Sequence, residues 1–332
     1  MAEPVSGQRP SVCAVIPVHQ GARTITRAIR SIQHQTVPVD QIIVVDDHST
    51  DGTPERVAAI DDERLMLLHS TRRGSGHARN LAIAATEADL IAFLDADDVF
   101  YPDKIETQLP LIGEGIAYVG ALVHYLGEDG RILGSHLRYT DPTAATDVLR
   151  RAESLPVHLS FGLVERRRLL AAGGFDEDFQ RSQDFDLAVR LVQDGSSLVW
   201  PQGRALAGYV MHEGGVTANS YAEQFLAAEL VRARLRGDTD AGYQQWMEHP
   251  ELSRKAKRAM RSGSHYRKAA VAVGRRERLT AVREGAMAMA MSPGSVVQKL
   301  RWRKSGTATL QPATVPPSVL AEFSAGAAHS RG

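Results

Sequence analysis

Between Ser11 and Asp98 the chain alternates unbroken apolar runs with stretches whose apolar residues return every three or four positions. The runs "VCAVIPV", "QIIVVDD", "RLMLLHS" and "LIAFLDADD" are short, largely β-branched and bounded by turn-forming residues, which predicts strands. Between them, "TITRAIRSI" places Ile25, Ile29 and Ile32 on one helical face. "DGTPERVAAI" offers Thr53 as an N-cap with Pro54 at the first helical position, and "GHARNLAIAATEA" supplies a third helix. Strands that are apolar throughout belong to a parallel sheet covered on both faces, so the pattern predicts an α/β fold with a mostly parallel sheet flanked by helices.

After Tyr101 the alternation loosens. "IAYVGALVHYL" and "RILGS" flank "GEDG" and predict a hairpin. "VERRRLLAAGGFDEDF" predicts a short helix closed by Gly173 and Gly174, "DFDLAVRLVQDG" a second ending at Gly195, and "SLVWP" and "ALAGYVMH" two late strands. From about Tyr221 the pattern is helical. From about Ser305 the residues are small, polar and Pro-rich, the composition of a disordered tail. The expected division is an α/β domain over 10–220, a basic helical extension over 221–304 and a tail over 305–332.

Composition narrows the function classes. Lys plus Arg equals Asp plus Glu at 39 each, so the overall charge gives no sign of a nucleic-acid partner. The distribution is uneven, because Arg254 to Lys304 holds fifteen Lys or Arg and few carboxylates. Basic helices of that kind can dock on anionic lipid, which makes peripheral membrane contact an expectation for the extension. Cys13 is the only cysteine, "MAEPVSGQRP" has no apolar leader core, and no apolar run reaches the roughly 18 residues of a spanning helix. The expected location is cytoplasmic, with room for a peripheral place on the inner membrane face.

The candidate chemistry lies at the strand ends, where open α/β sheets bind their ligands. Asp46 and Asp47 end the second strand; Asp95, Asp97 and Asp98 follow the fourth within four positions. Like charges this close repel, and each carboxylate is costly to desolvate, so the second cluster is either a solvated turn or the seat of a cation. Mg²⁺ or Mn²⁺ suits one or two carboxylates together with substrate phosphates. Arg79, at the head of a helix, matches either a phosphate or one of the acidic clusters. "RRGSGHARN" lacks the Lys-Ser/Thr of a phosphate loop. Asp184 and Asp186 head a later helix, and His212 follows an apolar strand; alone, neither motif points to chemistry.

In this order the motifs resemble family 2 glycosyltransferases, inverting sugar-nucleotide enzymes of the GT-A fold. "VIPVHQGARTITRAIRSIQHQT" resembles the opening strand and helix, and "VVDDHSTDGT" the nucleotide-recognition turn. "GHARNLAIAATEADLIAFLDADD" is similar to the helix leading into the DXD motif, and "GGFDEDFQRSQDFDLAVRL" to the acceptor-side segment with the catalytic base. The resemblance covers about residues 10–220. It implies that Pro17, Val18 and His19 line the base pocket and that Asp47 binds the base. Arg79 would sit near the diphosphate, Asp95 would face the ribose or donor sugar, and Asp97 would hold Mn²⁺ or Mg²⁺ with His212 approaching it. Asp184 would be the base. His19 stands where Tyr or Phe is common and Gln183 where Glu is common, and the choice between Asp97 and Asp98 as main metal ligand stays open.

The expectation is a metal-dependent inverting transferase that moves a sugar from a nucleotide-diphospho-sugar donor to a saccharide, lipid-linked or other hydroxyl acceptor. Cell-envelope or extracellular polysaccharide synthesis is the expected setting. The rival reading is a non-catalytic GT-A subunit that binds the nucleotide sugar; Asp184 beside an intact DXD argues against it.

Overall fold

The computed structural model describes residues 9–136, 141–211, 221–249, 258, 261, 278–291 and 315–329. The first half runs β1 (Val12–Val18), α1 (Ile25–Gln33), β2 (Gln41–Asp46), α2 (Thr53–Ala58), β3 (Leu65–His69), α3 (Ser75–Ala84) and β4 (Leu90–Phe93). Next come β5 (Val99–Phe100), α4 (Lys104–Gln108), β6 (Ile116–Val119), β7 (Val123–Leu126), β8 (Ile132–His136), α5 (Pro142–Arg150), β9 (Leu163–Glu165), α6 (Arg166–Ala171), α7 (Gln183–Leu191), β10 (Ser197–Val199) and β11 (Ala207–Val210). The later helices are α8 (Tyr221–Leu235), α9 (Tyr243–Met247), α10 (Arg278–Met291) and α11 (Pro317–His329).

Among the described residues the main sheet has seven strands in the order β10-β6-β9-β4-β1-β2-β3. β1, β2, β3 and β4 pair in parallel, as do β10 and β6, while β9 runs antiparallel between β4 and β6. All seven residues of β1 are buried, which requires cover on both faces, and the sheet is flanked by helices as the apolar runs predict. α1 supplies part of that cover by burying Ile25, Ala28, Ile29 and Ile32, spaced for one helical face. A second, four-stranded sheet has the order β5-β11-β7-β8.

The departures from expectation have local causes. The run "IAYVGALVHYL" is two strands, because β6 joins the main sheet and β7 the second one; the hairpin around 127–130 joins β7 to β8. β9, three residues long, is too short for any period to announce. Residues 315–329, read from composition as part of a disordered tail, instead include the helix α11. Val315, Val319 and Phe323 recur every four residues and bury beside Val99, Tyr101, Leu126 and Val210, and this one apolar stripe carries the segment.

Two compact units divide the chain: the two sheets with α11 form one, and the described stretches of 213–308 form the other. In the second unit α8 and α9 pack together, with the Trp246 indole N–H donating to the Leu226 carbonyl at 3.0 Å.

Two turns at the C-terminal edge of the main sheet are joined side chain to backbone. The expected N-cap role of Thr53 is corrected: Gly52, at φ 84°, takes the cap position and Thr53 is the first helical residue. Its hydroxyl accepts from the Gly21 amide at 2.9 Å, while Asp51 accepts from the Ala22 amide at 2.9 Å and from Thr53. The Gln20 amide donates to Ser49 Oγ at 2.9 Å, which extends the seam. Burial pushes the Asp51 carboxyl up, but the hydrogen bonds from Thr53 and Ala22 outweigh it and hold the carboxyl below its ordinary range.

Because the folded carboxyl of Asp51 is depressed, its charge stabilises fully above the ordinary Asp value of about 3.9. That contribution is lost as the pH falls through the folded value. Asp51→Asn should therefore lower Tm at pH 7 by more than it does at pH 3. Thermal scans at both pH values check this, and an unchanged gap would contradict it.

Candidate active site

Most of the candidate residues lie where β1, β2 and β4 end. Pro17 and Val18 are the last residues of β1, paired with Val45 and Asp46 of β2, and their side chains are buried in the sheet. They reach the edge through backbone. His19 is exposed, and its Nδ1 lies 2.6 Å from the Asp47 carbonyl oxygen. The two acids after β2 divide their work. Asp46 is buried and accepts from the Ser49 amide, closing the turn. Asp47 projects further, accepts the Gly74 amide at 2.8 Å and stands 3.2 Å from His48 Nδ1.

The acids after β4 also divide. Arg79 is buried, and its Nη2 donates to Asp95 Oδ1 at 2.6 Å. The salt bridge to an acidic cluster, left open by the sequence, is the one present. Asp98 is fully buried beneath the turn and accepts the Val210 amide at 2.8 Å. Burial raises its carboxyl well above the ordinary value, Asp97 and Asp95 push the same way, and the Val210 amide and Arg27 oppose them. Among the described residues its second oxygen has no hydrogen-bond partner. Behind the turn, Arg27 of α1 donates to the Asp97 carbonyl at 2.8 Å. The Asp97 carboxylate stays partly exposed at the strand end.

Among the described residues, no three His, Cys, Asp or Glu side chains converge as a metal-holding group. His212 lies outside the described residues. Asp97 beside the paired Asp95 still offers the one or two oxygen donors that Mg²⁺ or Mn²⁺ takes when phosphates complete its shell, so the donor set fits such an ion.

One face of α3 fastens the segment that carries Asp184. Asn80 closes a two-way bridge to Phe175, donating to its carbonyl at 2.9 Å and accepting its amide at 2.8 Å. Asn80 and His77 both contact Glu177, at 3.1 and 2.9 Å. Burial raises the Glu177 carboxyl, yet hydrogen bonds from Asn80 and His77 bring it below its ordinary range. Gln183 is buried, accepts from the Ser75 hydroxyl at 2.9 Å, and stands 3.4 Å from Arg79 Nη1. Asp184, next in the chain, is partly exposed in the first turn of α7. Asp186 is buried and paired with Arg190 at 2.6 Å, a packing role. Tyr118 is buried with an unpartnered hydroxyl, its proton held by burial and by the nearby charge of Asp184.

Four non-glycine residues described here have positive φ. Two of them adjoin candidate residues, Gln20 (53°) after His19 and His48 (60°) after Asp47, and Ser182 (61°) lies two residues before Asp184. Such conformations cost about 1–3 kcal/mol each and persist where the surroundings over-determine them, commonly at functional sites. Arg27, Asn80 and Gln183 are the supporting residues that sequence reasoning missed. The hydrogen-bond partners named above lie 70 to 108 positions away, and only Gln183 carried a signal, as a departure from the family pattern.

A mostly parallel sheet with acidic strand ends and a separate carboxylate on a fastened segment is the architecture of GT-A glycosyltransferases, and comparisons agree. The S. aureus TarS fragment 1–349, solved with UDP-GlcNAc, aligns over 97% of this chain and 91% of its own with a TM-score of 0.57 and 16% identity. The mannosyltransferase PcManGT from Pyrobaculum calidifontis, solved with GDP-Man and Mn²⁺, aligns over 90% and 88% with a TM-score of 0.54 and 19% identity. These show the fold. Residues 13–170 match glycosyl transferase family 2. The succinoglycan biosynthesis protein ExoO of Rhizobium meliloti is 31% identical over 274 residues, 76% of either chain. The Escherichia coli UDP-Glc:alpha-D-GlcNAc-diphosphoundecaprenol beta-1,3-glucosyltransferase WfgD is 33% identical over 102 residues, 30% of this chain and 40% of its own. The chain belongs to glycosyl transferase family 2 and is a glycosyltransferase.

Asn80 satisfies two backbone groups at once, so Asn80→Ala should destabilise the protein by about 1–3 kcal/mol. Proteolysis should open first near Phe175. Denaturant titration with limited proteolysis checks this, and a parent-like cleavage pattern would contradict it.

Proposed function

We propose that this glycosyltransferase holds a nucleotide-diphospho-sugar across the ends of β1, β2 and β4 and transfers its sugar, with inversion, to a hydroxyl of a saccharide acceptor. The observation that carries the reading is the division of carboxylates. Asp97 stays partly exposed at the strand end while Asp98 is buried, and Asp184 stands on a separate segment fastened to α3. Asp47, beside His19, can accept the N–H of a base edge, and Asp95, oriented by Arg79, can accept from a sugar or ribose hydroxyl. Arg79 keeps donors for a diphosphate oxygen beyond the one spent on Asp95. Asp97, with His212, would hold Mn²⁺ or Mg²⁺, which when bound supplies Lewis-acid charge to the departing diphosphate.

In the transfer, the acceptor oxygen bonds to the anomeric carbon from the face opposite the diphosphate. The bond to the diphosphate breaks with its electron pair, and the hydroxyl proton passes to Asp184. Relatives that act in succinoglycan biosynthesis and on a diphosphoundecaprenol-linked sugar support an acceptor of the same class, a saccharide on a growing, lipid-linked chain.

General-base assistance is typically worth about 10²- to 10⁴-fold. Asp184→Asn should lower kcat by about that much with nucleoside-diphosphate affinity unchanged, while Asp97→Asn or EDTA should abolish transfer and weaken that affinity. The assay is transfer and calorimetry over a panel of sugar nucleotides with Mn²⁺. Full turnover in EDTA would exclude the metal reading, and normal turnover of Asp184→Asn would exclude the base.

A lipid-linked acceptor asks for contact with a membrane surface. No helix among the described residues is long and apolar enough to cross one. α10 instead exposes Leu279 at 89% and Val282 at 71% beside Arg283, in a region rich in Arg and Lys. An exposed apolar stripe with flanking cations suits an anionic lipid surface. The full chain should co-sediment with anionic but not neutral vesicles, and a Leu279→Asp, Val282→Asp variant should not. Equal sedimentation of both proteins would exclude docking through α10.

A further inference from the structure

α11 lies against the back of the acidic turn, and its contacts converge on the two groups that hold that turn. Arg27, whose Nη2 supports the Asp97 carbonyl, has its guanidinium 4.2 Å from the centre of the Phe323 ring. Arg30 meets Glu322 at 3.3 Å and His34 lies 4.0 Å from the same carboxylate, so three residues along one side of α1 face α11. The same face of α11 buries Val319 and Phe323 in the cluster that contains Val210, whose amide holds Asp98. The tip of the β7–β8 hairpin closes the arrangement: a Cβ on Gly130 would come within 3.0 Å of the Phe323 ring.

We propose that α11 is a positioning element of the donor site, acting through Arg27 and Val210 to fix the turn from Asp95 to Asp98. The inference rests on the donor-site reading above. Several features separate it from simple cover of the apolar core. Phe323 presents its ring to a partly buried cation, and only an aromatic ring offers that cation a negative face. The guanidinium, in turn, places a positive charge near the buried Asp98, and burial lowers its proton affinity although Asp98 and Asp97 oppose this. Among the described residues its Nε has no hydrogen-bond partner, and the ring and the Asp97 carbonyl both hold the guanidinium in place. Neither Arg27 nor Phe323 is placed to touch donor or acceptor; their effect on the reaction runs through the turn. Phe323 lies more than two hundred residues from the acidic motif in sequence, so no local pattern links the two.

The test compares Phe323→Leu, which keeps apolar volume and loses the ring face, with Phe323→Tyr, which keeps it, and with Arg27→Lys, all in the full chain. Two quantities are read: hydrogen exchange of the backbone amides from Leu94 to Phe100, and Mn²⁺-dependent binding of uridine and guanosine diphosphates. In Phe323→Leu and Arg27→Lys the amides should exchange faster. Binding should weaken about threefold to tenfold, the scale of a desolvated cation–π contact. Phe323→Tyr should match the parent in both, and the double variant Arg27→Lys, Phe323→Leu should be no worse than either single one. Parent-like exchange in Phe323→Leu, or equal behaviour of the Leu and Tyr variants, would overturn the proposal. If exchange responds as expected but the parent binds neither diphosphate, the donor-site reading falls while the hold of α11 on the turn stands.

Discussion

The arrangement depends on one electrostatic constraint, the crowding of Asp95, Asp97 and Asp98 at the end of a buried strand. Desolvating a carboxylate without compensation costs several kcal/mol, and neighbouring charges of like sign add to it. The fold meets this by giving each acid a different environment. Asp95 is paired with Arg79, Asp98 is turned inward onto the Val210 amide with the positive charge of Arg27 nearby, and Asp97 is left at the surface. Two cations and one backbone donor, drawn from α3, α1 and β11, are thus committed to a turn of four residues. The positions of those elements relative to β4 follow as a requirement rather than a convenience.

α3 answers a second requirement. The proposed inverting transfer would need its base held at a set place opposite the leaving group, and a misplacement of about 1 Å can cost two orders of magnitude in rate. His77, Arg79 and Asn80 lie within four positions on this helix, and they reach Glu177, Asp95 and Phe175 respectively. A single rigid element therefore touches both the strand-end acids and the segment that carries Asp184. The Gln at position 183 fits this role. As a neutral acceptor near Arg79 it leaves the guanidinium committed to Asp95, whereas a carboxylate there would compete for it.

Much of this was legible in the chain before folding. The apolar runs up to Asp98 specify the strands that form: in β1, β2 and β4 near-continuous burial leaves an unbroken apolar signature, while β3 is an edge strand without a buried residue, and the acids at the strand ends mark the edge of the sheet that carries the candidate site. What was hidden is non-local. β9 pairs on both sides but is three residues long, and Arg27 looks like any polar residue on the outer face of a helix until Asp97 and Phe323 are beside it. The C-terminal segment misled for a related reason. Its average composition is that of a tail, whereas three residues at a spacing of four are enough to bury it once a complementary groove exists.

The buried state of Asp98 shows how stability and site geometry trade against one another here. An apolar residue of similar size would sit more comfortably beneath the turn, since a buried carboxyl with one unsatisfied oxygen is a net cost. Such a residue would, however, leave the Val210 amide unpaired and remove the reason for Arg27 to face inward. The turn would then be free to relax, and Asp97 with it. The polar link between β4 and β11 is therefore better understood as a geometric constraint than as a source of stability, and the apolar cover around it offsets what the constraint costs.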